Sequence, residues 1–440
     1  MAWDRVTFPR AVGVVLALAI ALAATALNAN AQVKPGDFIT PDNAYKVKDL
    51  LPPGTYARVE HGMSIKVEPT ERIDWPPPYK DATEKYSSQV RLSRDGRSLV
   101  GYVAGQPFPI LDDNDPTVAT KIMWNEVFRP ISTDDYDLRW FDCDSEYSGR
   151  NKPFFQIVDI EIGHYAGYNE VGRTEVDPLP IDPDFKITGR YYLALLYPVL
   201  SPQDARGTGI IRYRYADPNI DDDNWSWTPG TRRLRRLGYD MVDDATGAQA
   251  YDPNHYEGWC GKPEDYSWKY LGEKSMLAAI DIHKSPDPRC PTDGGASHCP
   301  DPWELRRMYA VEGAARYGRL ASPLYSREII YIDSEADFPM FVDMYDRRGE
   351  LFNNYTSWMN YADRARPDSR IAIYPFKRLF QVGSSTLNVQ TGFSTVCYHP
   401  SLNAPSPEGW FINMGAVDKS WFDTSSMARA AEGGHAISGD

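Results

Sequence analysis

The chain reads as an α+β protein built mainly of antiparallel strands, and three observations predict this. Short runs of β-branched and aromatic residues follow one another over about 138–239 and again over 305–359, with short turns between them. No helical repeat separates consecutive runs, so the connections are those of an antiparallel meander and not of βαβ units. The 28 Tyr, 12 Trp and 35 Pro among 440 residues favour pleated strands and structured loops over a helical bundle.

Residues 1–31 read as an export leader. Arg5 and Arg10 give a basic start, 11–26 is apolar but too short for a comfortable membrane span, and Ala29-Asn30-Ala31 is an A-x-A cleavage signal. Cleavage near Ala31 predicts an exported protein, most simply periplasmic, with a single domain over 32–424. Thr40-Pro41-Asp42 starts a helix whose apolar stripe is Ala44, Val47 and Leu51. A short polar helix is expected around 81–88, and Asp115-Pro116 opens another that carries Val118, Ala119, Ile122 and Met123. Residues 89–103 read as a hairpin turning at Asp95-Gly96. Strands are expected over 154–162, 187–197, 210–215, 305–311, 325–332, 338–345 and 350–359. Residues 240–303 are turn-rich and aperiodic, which predicts a loop-rich excursion, and the small, polar stretch 425–440 predicts a disordered tail.

The most distinctive stretch is Trp225 to Leu237. Thr228-Pro229-Gly230-Thr231 fits a type II turn, with Pro fixing φ and Gly accepting a positive φ. If Thr228 faces Thr231, Trp227 faces Arg232 and Trp225 faces Leu234. Trp225, Trp227, Arg232, Leu234 and Arg236 then share one face, while Ser226, Thr228, Thr231, Arg233 and Arg235 share the other. The aromatic face is either core with arginines stacked on it, or the wall of a cavity for an amphipathic ligand, or a docking surface. Tyr213 and Tyr215 alternate with Arg212 and Arg214 in a half-buried strand and join the candidate ligand-binding set; Arg233 and Arg235 are the candidate partner-docking residues.

Without the leader the chain holds 45 basic and 60 acidic residues, a net charge of about −15 that argues against nucleic acid as a partner. Five cysteines in an oxidising compartment predict disulfides. Cys290 and Cys299 bracket a Pro-, Gly- and Asp-rich loop and form the expected pair, whereas pairing among Cys143, Cys260 and Cys397 stays open. A zinc site on Cys290, His298 and Cys299 lacks a fourth ligand, and 217–223 departs from a calcium loop, so no metal is assigned. The chain has no H-E-x-x-H, G-x-S-x-G or P-loop, and Gly207-Thr208-Gly209 lacks the third glycine of a dinucleotide fingerprint. No catalytic residue and no cofactor follow, and a binding protein is expected over an enzyme.

Several motifs together carry a resemblance. Lys34-Pro35-Gly36-Asp37, Ile39-Thr40-Pro41-Asp42-Asn43, Tyr102 to Pro109, Trp124-Asn125, Trp227 to Arg236, Tyr331-Ile332-Asp333 and Tyr345 to Gly349 resemble an exported proteobacterial family, domain of unknown function 1329. That family is itself similar to the lipoprotein carriers LolA and LolB. The resemblance implies a large curved antiparallel sheet forming a half-open barrel, with a few helices over its concave face. It also implies binding of a hydrophobic or lipid-like molecule, in a setting with resistance-nodulation-division permeases and outer-membrane proteins. The segment 251–299 departs from the family core. A periplasmic carrier or chaperone is therefore the leading expectation; an accessory transporter subunit without a ligand, or an enzyme on hydrophobic substrates, are the alternatives.

Overall fold

The computed structural model describes residues 33–147, 155–238, 249–282, 290, 292–294, 296–299, 301–316, 324–401, 403–432 and 437. The leader expected over 1–31 lies outside them. In chain order the strands are β1 (Phe38–Ile39), β2 (Ile65–Val67), β3 (Arg91–Leu92), β4 (Leu99–Val100), β5 (Asp135–Tyr147), β6 (Phe155–Asn169), β7 (Arg190–Ser201), β8 (Gly209–Tyr215), β9 (Asp223–Thr228) and β10 (Arg233–Leu237). They continue with β11 (Tyr266–Ala278), β12 (Asp301–Ala315), β13 (Arg327–Asp333), β14 (Pro339–Tyr345), β15 (Leu351–Ala362), β16 (Arg378–Asn388), β17 (Phe393–Tyr398) and β18 (Trp410–Ile412).

All but β3 and β4 join one 16-stranded sheet in the order β1-β2-β12-β13-β14-β15-β16-β17-β5-β6-β7-β8-β9-β10, with β11 beside β12 and β18 beside β5. The pairings are antiparallel except for three residues of β2 against β12. The path does not close on itself, so the sheet is an open half-barrel, as expected. Two meanders, β5 to β10 and β12 to β17, meet where β17 pairs β5, and there the Cys143–Cys397 disulfide joins directly opposed residues with Cα atoms 4.1 Å apart. Cys290 is bonded to Cys299 and Cys260 is the free cysteine, which resolves the pairing that spacing left open.

The helix Pro53–His61 packs on β14 and β15, and its Arg58, wholly buried, donates to the side chain and carbonyl of Asn354 and to Ser385. Such a charge is tolerable inside only because its donors are satisfied. The helix Pro77–Tyr86 starts four residues before the polar helix expected around 81–88, inside the Pro-rich segment, and Val118–Val127 forms where its apolar spacing predicted a helix. The first expected helix is a 3-10 helix, Pro41–Leu50.

Three expectations need correcting. The excursion over 240–303 contains β11, a 13-residue strand paired along β12; its Ser267, Lys269, Glu273 and Lys274 are exposed, and such polar residues hide strand periodicity. The tail expected to be disordered over 425–440 begins with the helix Ser426–Ala431, whose Met427 is buried; most of 433–440 lies outside the described residues. In the hairpin, Trp227 pairs with Leu234 and Trp225 with Arg236, two residues further along than expected. Arg232 takes the left-handed conformation (φ 49°) in place of Gly230, with the Thr231 amide donating to the Thr228 carbonyl. A slip of two residues preserves face membership, whereas a slip of one would have exchanged the faces.

Candidate functional site

The strands β7, β8 and β9 are covered on both sides, and alternation sends successive side chains to opposite covers. On the outer side, Leu193, Leu195, Tyr197, Ile211, Tyr213 and Trp227 are buried in one cluster with Trp421, Phe422 and Met427 of the C-terminal segment, and Tyr215, Trp225 and Leu234 pack against it. The Tyr213 hydroxyl donates to the Phe422 carbonyl, and the Tyr215 hydroxyl donates to Asp223 over 2.7 Å. Gly209 admits this cover: a Cβ there would meet Tyr197 at 2.6 Å and the Met427 sulfur at 2.7 Å. The other side carries Ala194, Leu196, Ile210, Arg212, Asn224, Ser226 and Thr228.

A cavity of about 330 Å³ lies on that inner side. Its walls are Leu138 and Phe141 of β5, Ile160, Ile162 and Tyr165 of β6, Leu196 and Val199 of β7, Ile210 of β8, and Ser226 and Thr228 of β9. Tyr251 and Tyr256 line it from the segment after residue 249, while the Cys143–Cys397 bridge, Gln381, Ser384 and His399 line it from β16, β17 and beyond. Six strand steps separate β16 from β9. Flat, they would lie about 29 Å apart, so one cavity touching both requires the sheet to curl around it.

No Asp, Glu, Lys or Arg is among the described residues lining this cavity. Among its polar groups, Tyr251, Ser384, Gln381 and His399 are tied back into the protein. The Tyr251 hydroxyl bonds to the Ser384 hydroxyl at 2.8 Å. Burial pulls the His399 pKa down to about 3, so the ring is neutral at ordinary pH. With Nδ1 3.2 Å from the Gln381 carbonyl, which can only accept, the proton sits on Nδ1.

Two smaller spaces continue from it. The first, about 80 Å³, shares Tyr165, Leu196, Ile210 and Tyr256 with the cavity and adds Tyr192, Arg212, Asn224 and Cys260. The second, about 70 Å³, shares Tyr192 and Cys260 with the first and brings in charged side chains, those of Glu126, Arg129, Arg214 and Glu257. There Arg129 bridges Glu126 (2.6 Å) and Glu257, yet burial outweighs that attraction and raises the Glu126 carboxyl to about 8. Burial likewise raises the Cys260 thiol above its ordinary value.

Of the three readings open for the hairpin's aromatic face, the structure shows the core one: the residues placed in the candidate ligand-binding set face away from the cavity. Trp225, Trp227, Leu234, Tyr213 and Tyr215 pack under the C-terminal segment, and Arg236 pairs with Asp223. Arg232, Arg233 and Arg235 are exposed at the hairpin's end. What lines the cavity is the hairpin's polar face, through Ser226 and Thr228, whose hydroxyls gave no apolar signal. A legible signal was the unbroken run Tyr191-Tyr192-Leu193-Ala194-Leu195-Leu196-Tyr197, which marks a strand buried on both faces. Among the described residues no group of three or more metal-ligating side chains converges, and Cys290 and Cys299 are spent on each other. The His164–Asp137 pair (3.0 Å) and the His255–Asp252 pair (2.7 Å) are packed against Trp421 and Tyr325 and do not line the cavity.

The arrangement is that of an open antiparallel half-barrel curled around an uncharged chamber. Within that class the chain belongs to the DUF1329 family, proteins of unknown function, whose family model matches residues 38–400. It is 23% identical over 341 residues to Uncharacterized protein PA3922 of Pseudomonas aeruginosa, covering 74% of this chain and 69% of that one. Among solved structures it is similar to a domain assigned to outer-membrane lipoprotein sorting from Vibrio parahaemolyticus (TM-score 0.46, 14% identity, 71% of this chain and 98% of that chain). It is also similar to a DUF1329 family protein from Desulfovibrio piger (TM-score 0.42, 14% identity, 67% and 92%). A third is the LolA superfamily protein NE2245 from Nitrosomonas europaea (TM-score 0.35, 11% identity, 64% and 90%).

Proposed function

We propose that the protein is a periplasmic carrier or chaperone that shelters a hydrophobic, lipid-like molecule and does no chemistry on it. The observation that carries this reading is the 330 Å³ cavity without a charged lining residue, a size at the lower end of the roughly 300–1,000 Å³ range of ligand sites. Two disulfides and the A-x-A leader support an oxidising, exported setting. In this reading a resistance-nodulation-division permease and an outer-membrane protein are the partners between which the cargo moves. Native mass spectrometry of gently purified protein tests it: an adduct of lipid mass, or stoichiometric uptake of an added fatty acid, is expected. Protein that arrives empty and takes up neither fatty acid nor fatty alcohol would sink the proposal.

A second reading, an accessory subunit docking on an envelope transporter, has one observation in its favour. Arg233 and Arg235 are exposed on the edge strand β10 of an acidic chain, and no ion pair reaches them among the described residues. Reversing both charges should abolish co-purification with the transporter while leaving the fold and its cavity intact.

A further inference from the structure

Resting on the carrier reading, we propose that the cargo is a single-chain amphiphile with an anionic head group, and that Arg212 binds that head at the neck of the cavity. The inner-face residues of β8 step along the strand every second position, about 7 Å apart. Ile210 stands in the cavity wall, Arg212 in the adjoining space, and Arg214 beyond it in the space lined by Glu126, Arg129 and Glu257. Arg214 is committed: its guanidinium pairs with Asp222 at 2.9 Å and donates to the carbonyls of Cys260 and Gly261. Arg212 is not. Its Nε donates to the Asn224 amide oxygen at 3.0 Å, and no other bond to it is formed among the described residues.

Across the cavity and the space adjoining it, Arg212 is the one charged side chain among the described lining residues. Among the described residues the acidic groups nearby are taken: Glu257 pairs with Arg129, and Asp223 pairs with Arg236 and Tyr215 on the outer side. A half-buried guanidinium with two nitrogens that bond none of the described residues, beside an uncharged chamber, is a fork for a carboxylate or similar anion, and the apolar tail of the same molecule fills the chamber. The volume favours one chain, since 330 Å³ is at the small end for a ligand site and a second acyl chain would have to be housed beyond it.

Isothermal titration of dodecanoate, dodecan-1-ol and a two-chain phosphatidylglycerol into the full-length mature protein tests this. The wild type should bind dodecanoate at least about tenfold more tightly than dodecanol, the scale of one charge-assisted fork. In Arg212→Gln, with its fold checked by circular dichroism, that ratio should fall towards one, and Arg212→Lys should restore part of it. Equal affinities in the wild type, or a preference that survives Arg212→Gln, would overturn the assignment of the head-group site while leaving the carrier reading intact. Phosphatidylglycerol binding as tightly as dodecanoate would overturn the single-chain restriction. Failure of both dodecyl compounds would remove the carrier reading and this inference with it.

Discussion

His399 shows how a residue with ordinary chemistry is bent to the needs of an apolar chamber. Burial disfavours the imidazolium and pulls its pKa to about 3, against about 6.5 in an unfolded chain. Below pH 6.5 the unfolded chain binds a proton that the folded chain refuses, so stability falls as pH drops towards 3. Between pH 7 and pH 4 this one group should cost about 3 kcal/mol. Asp142, raised by burial to about 7, and Glu126, raised to about 8, act with the opposite sign and favour the folded state at low pH, but equally in a variant that keeps them. The difference in urea unfolding free energy between pH 7 and pH 4 should therefore be about 3 kcal/mol more favourable to acid stability in His399→Gln than in the wild type. An unchanged difference would mean that the ring is solvated.

At the scale of elements, the junction of β5 with β17 holds the two meanders together. Cys143 and Cys397 are 254 residues apart in sequence, against nine for Cys290 and Cys299. If a disulfide acts by restricting the unfolded chain, the longer loop contributes about 5 kcal/mol and the shorter about 2–3. Urea titration of Cys143→Ala/Cys397→Ala should show roughly twice the loss seen for Cys290→Ala/Cys299→Ala. The junction itself was not legible, because cross-strand partners so distant in sequence leave no local trace. The meanders were legible: the run 210–215 alternates between covers and became β8, and 338–345 became β14. β11 escaped because exposed polar residues and the bulge near Gly272 break its alternation. The cavity wall escaped for a related reason. The strongest local signal lay on the face with the tryptophans, yet those rings are core beneath a C-terminal helix that composition had assigned to a tail.

For the molecule as a whole, the two covers of the β7–β9 region divide labour, and the division can be measured. On the outer side the C-terminal segment seals the sheet by burying Trp227, Tyr213 and Met427, so that cover bears on stability. On the inner side the sheet curls around unfilled space, so that cover bears on binding. Trp227→Ala should therefore destabilise by about 3–5 kcal/mol in urea, yet the protein that remains folded should take up fatty acid with its affinity unchanged within about twofold. Leu196→Trp places an indole where the cavity meets the adjoining space, and it should lower uptake by tenfold or more with a loss of stability under about 2 kcal/mol, because the ring enters a void and does not displace packed neighbours. Were Trp227→Ala to abolish uptake while Leu196→Trp left it untouched, the binding site would lie on the aromatic face of the hairpin and the inner chamber would be an incidental gap in the curl of the sheet.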